Sequence, residues 1–71
     1  MNDYIINSFI IQNKNTLNDI YEYIKNRYNS VDINDIQLEL KKLIKNGIIF
    51  FNNIYELTTE GNVVLNHHKY Y

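Results

Sequence analysis

The sequence predicts an α+β fold, a three-helix bundle followed by a two-stranded β-hairpin and a short C-terminal helix or tail. Two observations predict it. Up to residue 46 the apolar residues recur at helical spacing in three blocks, separated by short Asn-rich breaks. After Gly47 the period shortens to that of extended chain, in two β-branched and aromatic runs about an Asn-Asn pair. With 71 residues the chain is expected to be one domain, spanning 1–71, with a radius of gyration near ~11 Å. Neither an internal repeat nor a linker-like stretch interrupts it.

The first helix is expected over about 3–13, because Ile5, Ile6, Phe9 and Ile10 fall on one stripe. The break Asn13-Lys14-Asn15 precedes Thr16, and Thr16 with Asp19 has the spacing of a capping box, so the second helix is expected over about 16–28. Leu17, Ile20, Tyr21, Ile24 and Tyr28 form its inner face. The third helix is expected over about 34–46. Asn34 and Gln37 have capping-box spacing, with Ile33 and Leu38 at the staple positions; entry at Asp32 with Asp35 at N3 is the competing register. In either register Ile36, Leu40, Leu43 and Ile44 face inward, and Gly47 stands where a left-handed C′ residue is wanted.

The hairpin is expected over about 48–58. A two-residue Asn-Asn turn pairs Ile49 with Glu56. That turn leaves Ile48, Phe50, Tyr55 and Leu57 facing inward, whereas a loop one residue longer puts Ile49, Phe51, Tyr55 and Leu57 on one face and Glu56 on the other, and is preferred. Thr59 is expected to cap a short helix through Val63, Val64 and Leu65, with a frayed end at 67–71, inside the C-terminal segment 59–71.

Composition excludes several classes of function. Without cysteine there is no disulfide scaffold, thiolate metal site or catalytic thiol. The longest apolar run, Ile48 to Phe51, is far short of the ~20 residues a membrane span needs, and Asp3 sits where a signal peptide carries positive charge. An intracellular protein, cytoplasmic or nuclear, is the expectation. His67 and His68 are adjacent, so on a helix they point about 100° apart and make a poor metal pair; no metal or cofactor is expected. With two glycines and no nucleophile spaced from a base, the chain is not expected to be an enzyme. The 13 Asn, 12 Ile and 7 Tyr fit AT-rich codons, so many asparagines are expected to be generic surface, and the tyrosines to be core or boundary packing. Net charge is −1, yet residues 25–45 hold five cations against three carboxylates, a local +2.

The pattern Leu40-x-x-Leu43-x-x-x-Gly47-x-Ile49, then Tyr55-x-Leu57-Thr58-x-x-Gly61, resembles the end of the recognition helix and the wing of prokaryotic and viral winged-helix regulators. Together with the element order, this likens almost the whole chain to the winged-helix domain, a helix-turn-helix variant. The stretch from Thr16 to Ile24 is similar to the second helix of forkhead and linker-histone domains. The resemblance implies a DNA-binding transcriptional regulator whose third helix enters the major groove of double-stranded DNA, with Asn52 and Asn53 of the wing near the adjacent backbone or minor groove.

The residues of the third helix give an independent reading. Opposite Ile36, Leu40 and Leu43 lie Asn34, Leu38, Lys41, Lys42 and Lys45. Lysines neutralise phosphates, and the amides of Asn34 and Gln37 suit adenine edges. The same lysines also oppose the helix macrodipole, as solvated lysines do near many helix ends. Asp35 and Glu39 flank the surface, and Asn52-Asn53 offers no cation. A homodimer, formed through the terminal segment and the first helix, is expected to supply affinity that one weakly charged subunit lacks. The alternative is a winged-helix protein-interaction module docking a partner through Leu38, Phe50 and Ile54. Leu38 has a further reading as the staple partner of Ile33, and Lys25 with Arg27 reads as solvated surface.

Overall fold

The computed structural model describes residues 2–28 and 30–68. It is α+β: α1 (Asn2–Asn7), β1 (Lys14–Asn15), α2 (Leu17–Lys25), α3 (Ile33–Lys45), β2 (Ile49–Phe51), β3 (Tyr55–Leu57) and α4 (Thr59–His68). The three strands form one antiparallel sheet in the order β1-β3-β2. The Cα radius of gyration is 11.1 Å. One core lies between the helices and the sheet, built from Ile5, Ile6 and Phe9, Ile20 and Ile24, Ile36, Leu40 and Leu43, Ile49 and Leu57, and Leu65. Burial of that apolar surface is the main force holding the elements together.

α1 is shorter than its apolar stripe predicts. It ends at Asn7 because the buried Ser8 hydroxyl donates back to the Ile5 carbonyl while the backbone tightens, Phe9 N–H donating to Ile6 O and Ile10 N–H to Asn7 O. Phe9 still reaches the core, but Ile10 is 49% exposed instead of buried.

The segment read as a break contains β1, whose Lys14 and Asn15 pair with Glu56 and Tyr55. Asn15 is buried and acts as a polar peg. Its amide donates to the carbonyls of Ser8 (3.4 Å) and Gln12 (3.3 Å), and its oxygen accepts from Gln12 Nε2 at 2.7 Å. β1 thereby closes the other edge of β3 and fixes the entry to α2.

The Thr16 capping box forms as the spacing predicts: Asp19 N–H donates to Thr16 Oγ1 at 3.1 Å, and Thr16 N–H to Asp19 Oδ2 at 3.0 Å. α2 stops at Lys25, earlier than expected, so Tyr28 leaves the core. It is half exposed and its ring lies 5.8 Å from that of Tyr4.

At α3 the competing register is the one adopted. Asp32 is the N-cap, accepting from Asn34 N–H at 2.9 Å, so the expected Asn34 cap and the Ile33–Leu38 staple do not form. With this start Val31 and Ile36 take the N′ and N4 positions, and both pack into the core. Ile33 and Leu38 are left exposed. Ile44 is at the margin, more exposed than its inward assignment predicts.

The end of α3 follows the sequence. Gly47 has φ +77°, its N–H donates to Ile44 O (3.1 Å), and Ile48 N–H donates to Leu43 O (2.9 Å). These are the two bonds of a Schellman motif, which turns the chain directly into β2. The hairpin adopts the longer loop, with Ile49 opposite Leu57, Phe50 opposite Glu56 and Phe51 opposite Tyr55. Phe51 rests on the Tyr55 ring, 4.7 Å between centroids, but remains mostly exposed because the sheet extends past the core there.

Thr58, not Thr59, caps α4. Its hydroxyl accepts from Gly61 N–H at 3.0 Å and donates toward the Gly47 and Ile48 carbonyls. One side chain thus joins the start of α4 to the end of α3 and the start of β2. α4 packs against α1 and β3. It continues to His68; of the terminal segment expected to fray, residues 69–71 lie outside the described residues.

Candidate nucleic-acid interface

Because Ile36, Leu40 and Leu43 are buried, α3 presents its opposite side to solvent, and the residues at i, i+4, i+7 and i+11 of that side are Asn34, Leu38, Lys41 and Lys45. All four are exposed. Lys42 lies next to this seam but is tied to Glu39, Nζ to Oε1 3.4 Å. Among the described residues no carboxylate forms an ion pair with Lys41 or Lys45. The face therefore carries two unpaired ammonium groups one helical turn apart, plus a third whose field Glu39 weakens.

Gln37 is exposed beside the seam, on the flank that also holds Ile33 and Ile44. Asp35 is exposed on the opposite flank, beyond Lys42. Asn52 and Asn53 are exposed at the hairpin tip, where Asn53 takes a left-handed φ of 63° and Asn52 N–H donates to Ile54 O at 3.0 Å. They shape the tip without adding charge. Of the three apolar residues expected to be free for a partner, Leu38 and Phe50 are exposed while Ile54 is only half so.

Two other cations fold back over tyrosine rings of α2 while staying exposed. The Arg27 guanidinium lies 3.8 Å from the centroid of the Tyr23 ring and donates to Tyr23 O at 3.2 Å. Lys25 Nζ stands 5.7 Å from the Tyr21 ring. Cation–π contact of this kind holds both side chains against tyrosine rings while they stay at the surface.

A shallow groove of about 330 Å³ runs between α2 and the turn after α1, lined by Asp19, Glu22, Asn26 and Arg27 among others. Asp19 is already engaged in the capping box there. Among the described residues no three His, Asp or Glu side chains are grouped to hold a metal ion, and no helix is long and apolar enough to cross a membrane.

Comparison with known proteins finds no matching family model, no matching curated protein and no matching solved structure. The functional reading therefore rests on the geometry of this chain.

Sequence reasoning missed Asn15, which holds the sheet to the turn before α2, and Thr58, which seats α4. A buried amide in a two-residue strand leaves no periodic signal. Thr58 was legible from the Thr-x-x-Gly spacing only once the position of the Ile48 carbonyl was known.

Proposed function

We propose that this chain is a small winged-helix protein that binds duplex DNA through α3 and regulates transcription. The single observation carrying the reading is the outward seam of α3, with Asn34, Lys41 and Lys45 solvent-exposed and, among the described residues, no ion pair at either lysine. Support also comes from the passage of α3 through Gly47 directly into the β2–β3 ribbon, the feature on which the winged-helix resemblance rests. In that docking geometry the N-terminal half of the recognition helix meets base edges. Lys41 and Lys45, further along, meet phosphates, and the hairpin tip at Asn52 and Asn53 lies close to the neighbouring backbone.

With few free cations per subunit, affinity comes from two copies on adjacent half-sites. The homodimer uses the α1–α4 layer, where Tyr4 and Val63 remain exposed. An NMR titration of the labelled protein with a short duplex tests the reading. Amide shifts concentrated at residues 34–45 and at the hairpin tip support it, and shifts confined to the α1–α4 layer contradict it.

One observation favours a second reading, a winged-helix module for protein partners. Leu38 on α3 and Phe50 and Phe51 on β2 expose apolar surface, and the hairpin tip carries no charge. A partner retained at high salt, together with no duplex binding at low salt, selects this reading over the first.

A further inference from the structure

We propose that the duplexes this chain prefers are A·T-rich, with Asn34 reading adenine and Leu38 packing against thymine methyl groups in the major groove. This rests on the DNA reading above and adds the class of sequence.

Leu38 stands in the middle of the outward seam at 56% exposure. Because Asp32 caps α3, the staple position belongs to Ile36, so Leu38 has no role in starting the helix. Its neighbours one turn away on the seam are Asn34 and Lys41, both polar and exposed. An aliphatic side chain at the centre of a groove-facing surface meets one apolar group on the base edges, the C5 methyl of thymine.

The rest of the base-facing half agrees. From Ile33 to Leu40 the helix carries no Lys or Arg, so the bidentate cation that reads guanine O6 and N7 is absent there. The chain's single arginine, Arg27, lies on α2's C-terminal side, against the Tyr23 ring. The exposed polar groups of that half are the amides of Asn34 and Gln37, whose paired donor and acceptor match adenine N7 and N6, and the carboxylate of Asp35 on the far flank. The cations Lys41, Lys42 and Lys45 are all in the C-terminal half, where they suit phosphates and carry no sequence information.

The test compares three duplexes of equal length by fluorescence anisotropy: one of A·T pairs only, one of G·C pairs only, and the A·T duplex with uracil in place of thymine. Uracil keeps the pairing and removes only the methyl. Wild-type protein is expected to bind A·T over G·C by about tenfold or more. Replacing thymine by uracil is expected to weaken binding about three- to fourfold per contacted methyl, the factor that ~0.8 kcal/mol represents. Leu38→Ala, an exposed change in a helix, is expected to bind the thymine and uracil duplexes equally. Asn34→Ala is expected to lose most of the preference over G·C while keeping its salt dependence. Equal affinity for all three duplexes, a preference for G·C, or thymine discrimination that survives Leu38→Ala overturns the inference and leaves DNA binding standing. No duplex binding at low salt overturns the DNA reading and this inference with it.

Discussion

Gly61→Ala tests how α4 is seated. Gly61 is buried at the N3 position of α4, and a Cβ built there stands 2.1 Å from the Ile48 carbonyl oxygen and 2.9 Å from Leu57 Cδ2. Ordinary contact for such a carbon is ~3.5–4 Å, so the helix and the β2 backbone must separate by more than ~1 Å. The Leu57 methyl can rotate away. The carbonyl cannot, because Thr58 N–H donates to it at 3.0 Å just beyond the ends of β2 and β3. Overpacking of this severity costs about 3 kcal/mol, while replacing a helical glycine by alanine returns about 1 kcal/mol of propensity, leaving a net loss of about 2 kcal/mol. For a domain of this size, stability totals roughly 4–10 kcal/mol and each kcal/mol shifts Tm by about 6 °C. The expected fall is therefore about 12 °C, read by circular dichroism at 222 nm on heating and checked by urea unfolding. Propensity alone predicts the opposite sign. A variant as stable as the wild type, or more so, refutes the close seating of α4 on the start of β2.

Gly47 gives a contrasting case, because nothing lies within 4 Å of its would-be Cβ and only its φ of +77° resists substitution. Gly47→Ala is expected to lose about 1–2 kcal/mol. Gly47→Asn is expected to lose clearly less in the same urea titration, as Asn53 already adopts this conformation here. Asn15→Ala removes the peg that satisfies the Ser8 and Gln12 carbonyls, for an expected loss of about 1–3 kcal/mol by urea unfolding. Glu39→Gln releases Lys42 from its 3.4 Å ion pair, so duplex affinity at low salt is expected to rise and the salt dependence of binding to steepen.

What the sequence made legible follows from the range of the interactions involved. The Thr16 capping box and the Gly47 turn are encoded within four residues, and both appear as read. The sequence left two hairpin registers open, each with an apolar inward face, and the preferred longer loop, with Ile49, Phe51, Tyr55 and Leu57 on one face, is the one adopted. Two registers for the start of α3 satisfied the same inward stripe of Ile36, Leu40 and Leu43, so periodicity could not separate them. Val31 decides between them, since only the Asp32 start brings it to the core beside α3. The end of α1 was illegible for a different reason. Ile10 continues the helical stripe, but the chain leaves the helix after Asn7 and reaches β3 with Lys14 and Asn15, a long-range pairing that no local pattern announces. The lysines of the candidate interface were visible as a cluster. Their unequal availability, with Lys42 paired and Lys41 and Lys45 unpaired, depended on rotamers along the helix and needed the structure.

The central claim, that the outward lysines of α3 engage the DNA backbone, is tested most directly by the salt dependence of binding to a random-sequence duplex. Each phosphate contact adds about 0.9 to the slope of log affinity against log salt. Lys41→Ala and Lys45→Ala are each expected to bind more weakly at every salt concentration and to lower that slope by about one per subunit. A wild-type protein that fails to bind duplex at low salt, or variants whose slopes match the wild type, contradicts the account.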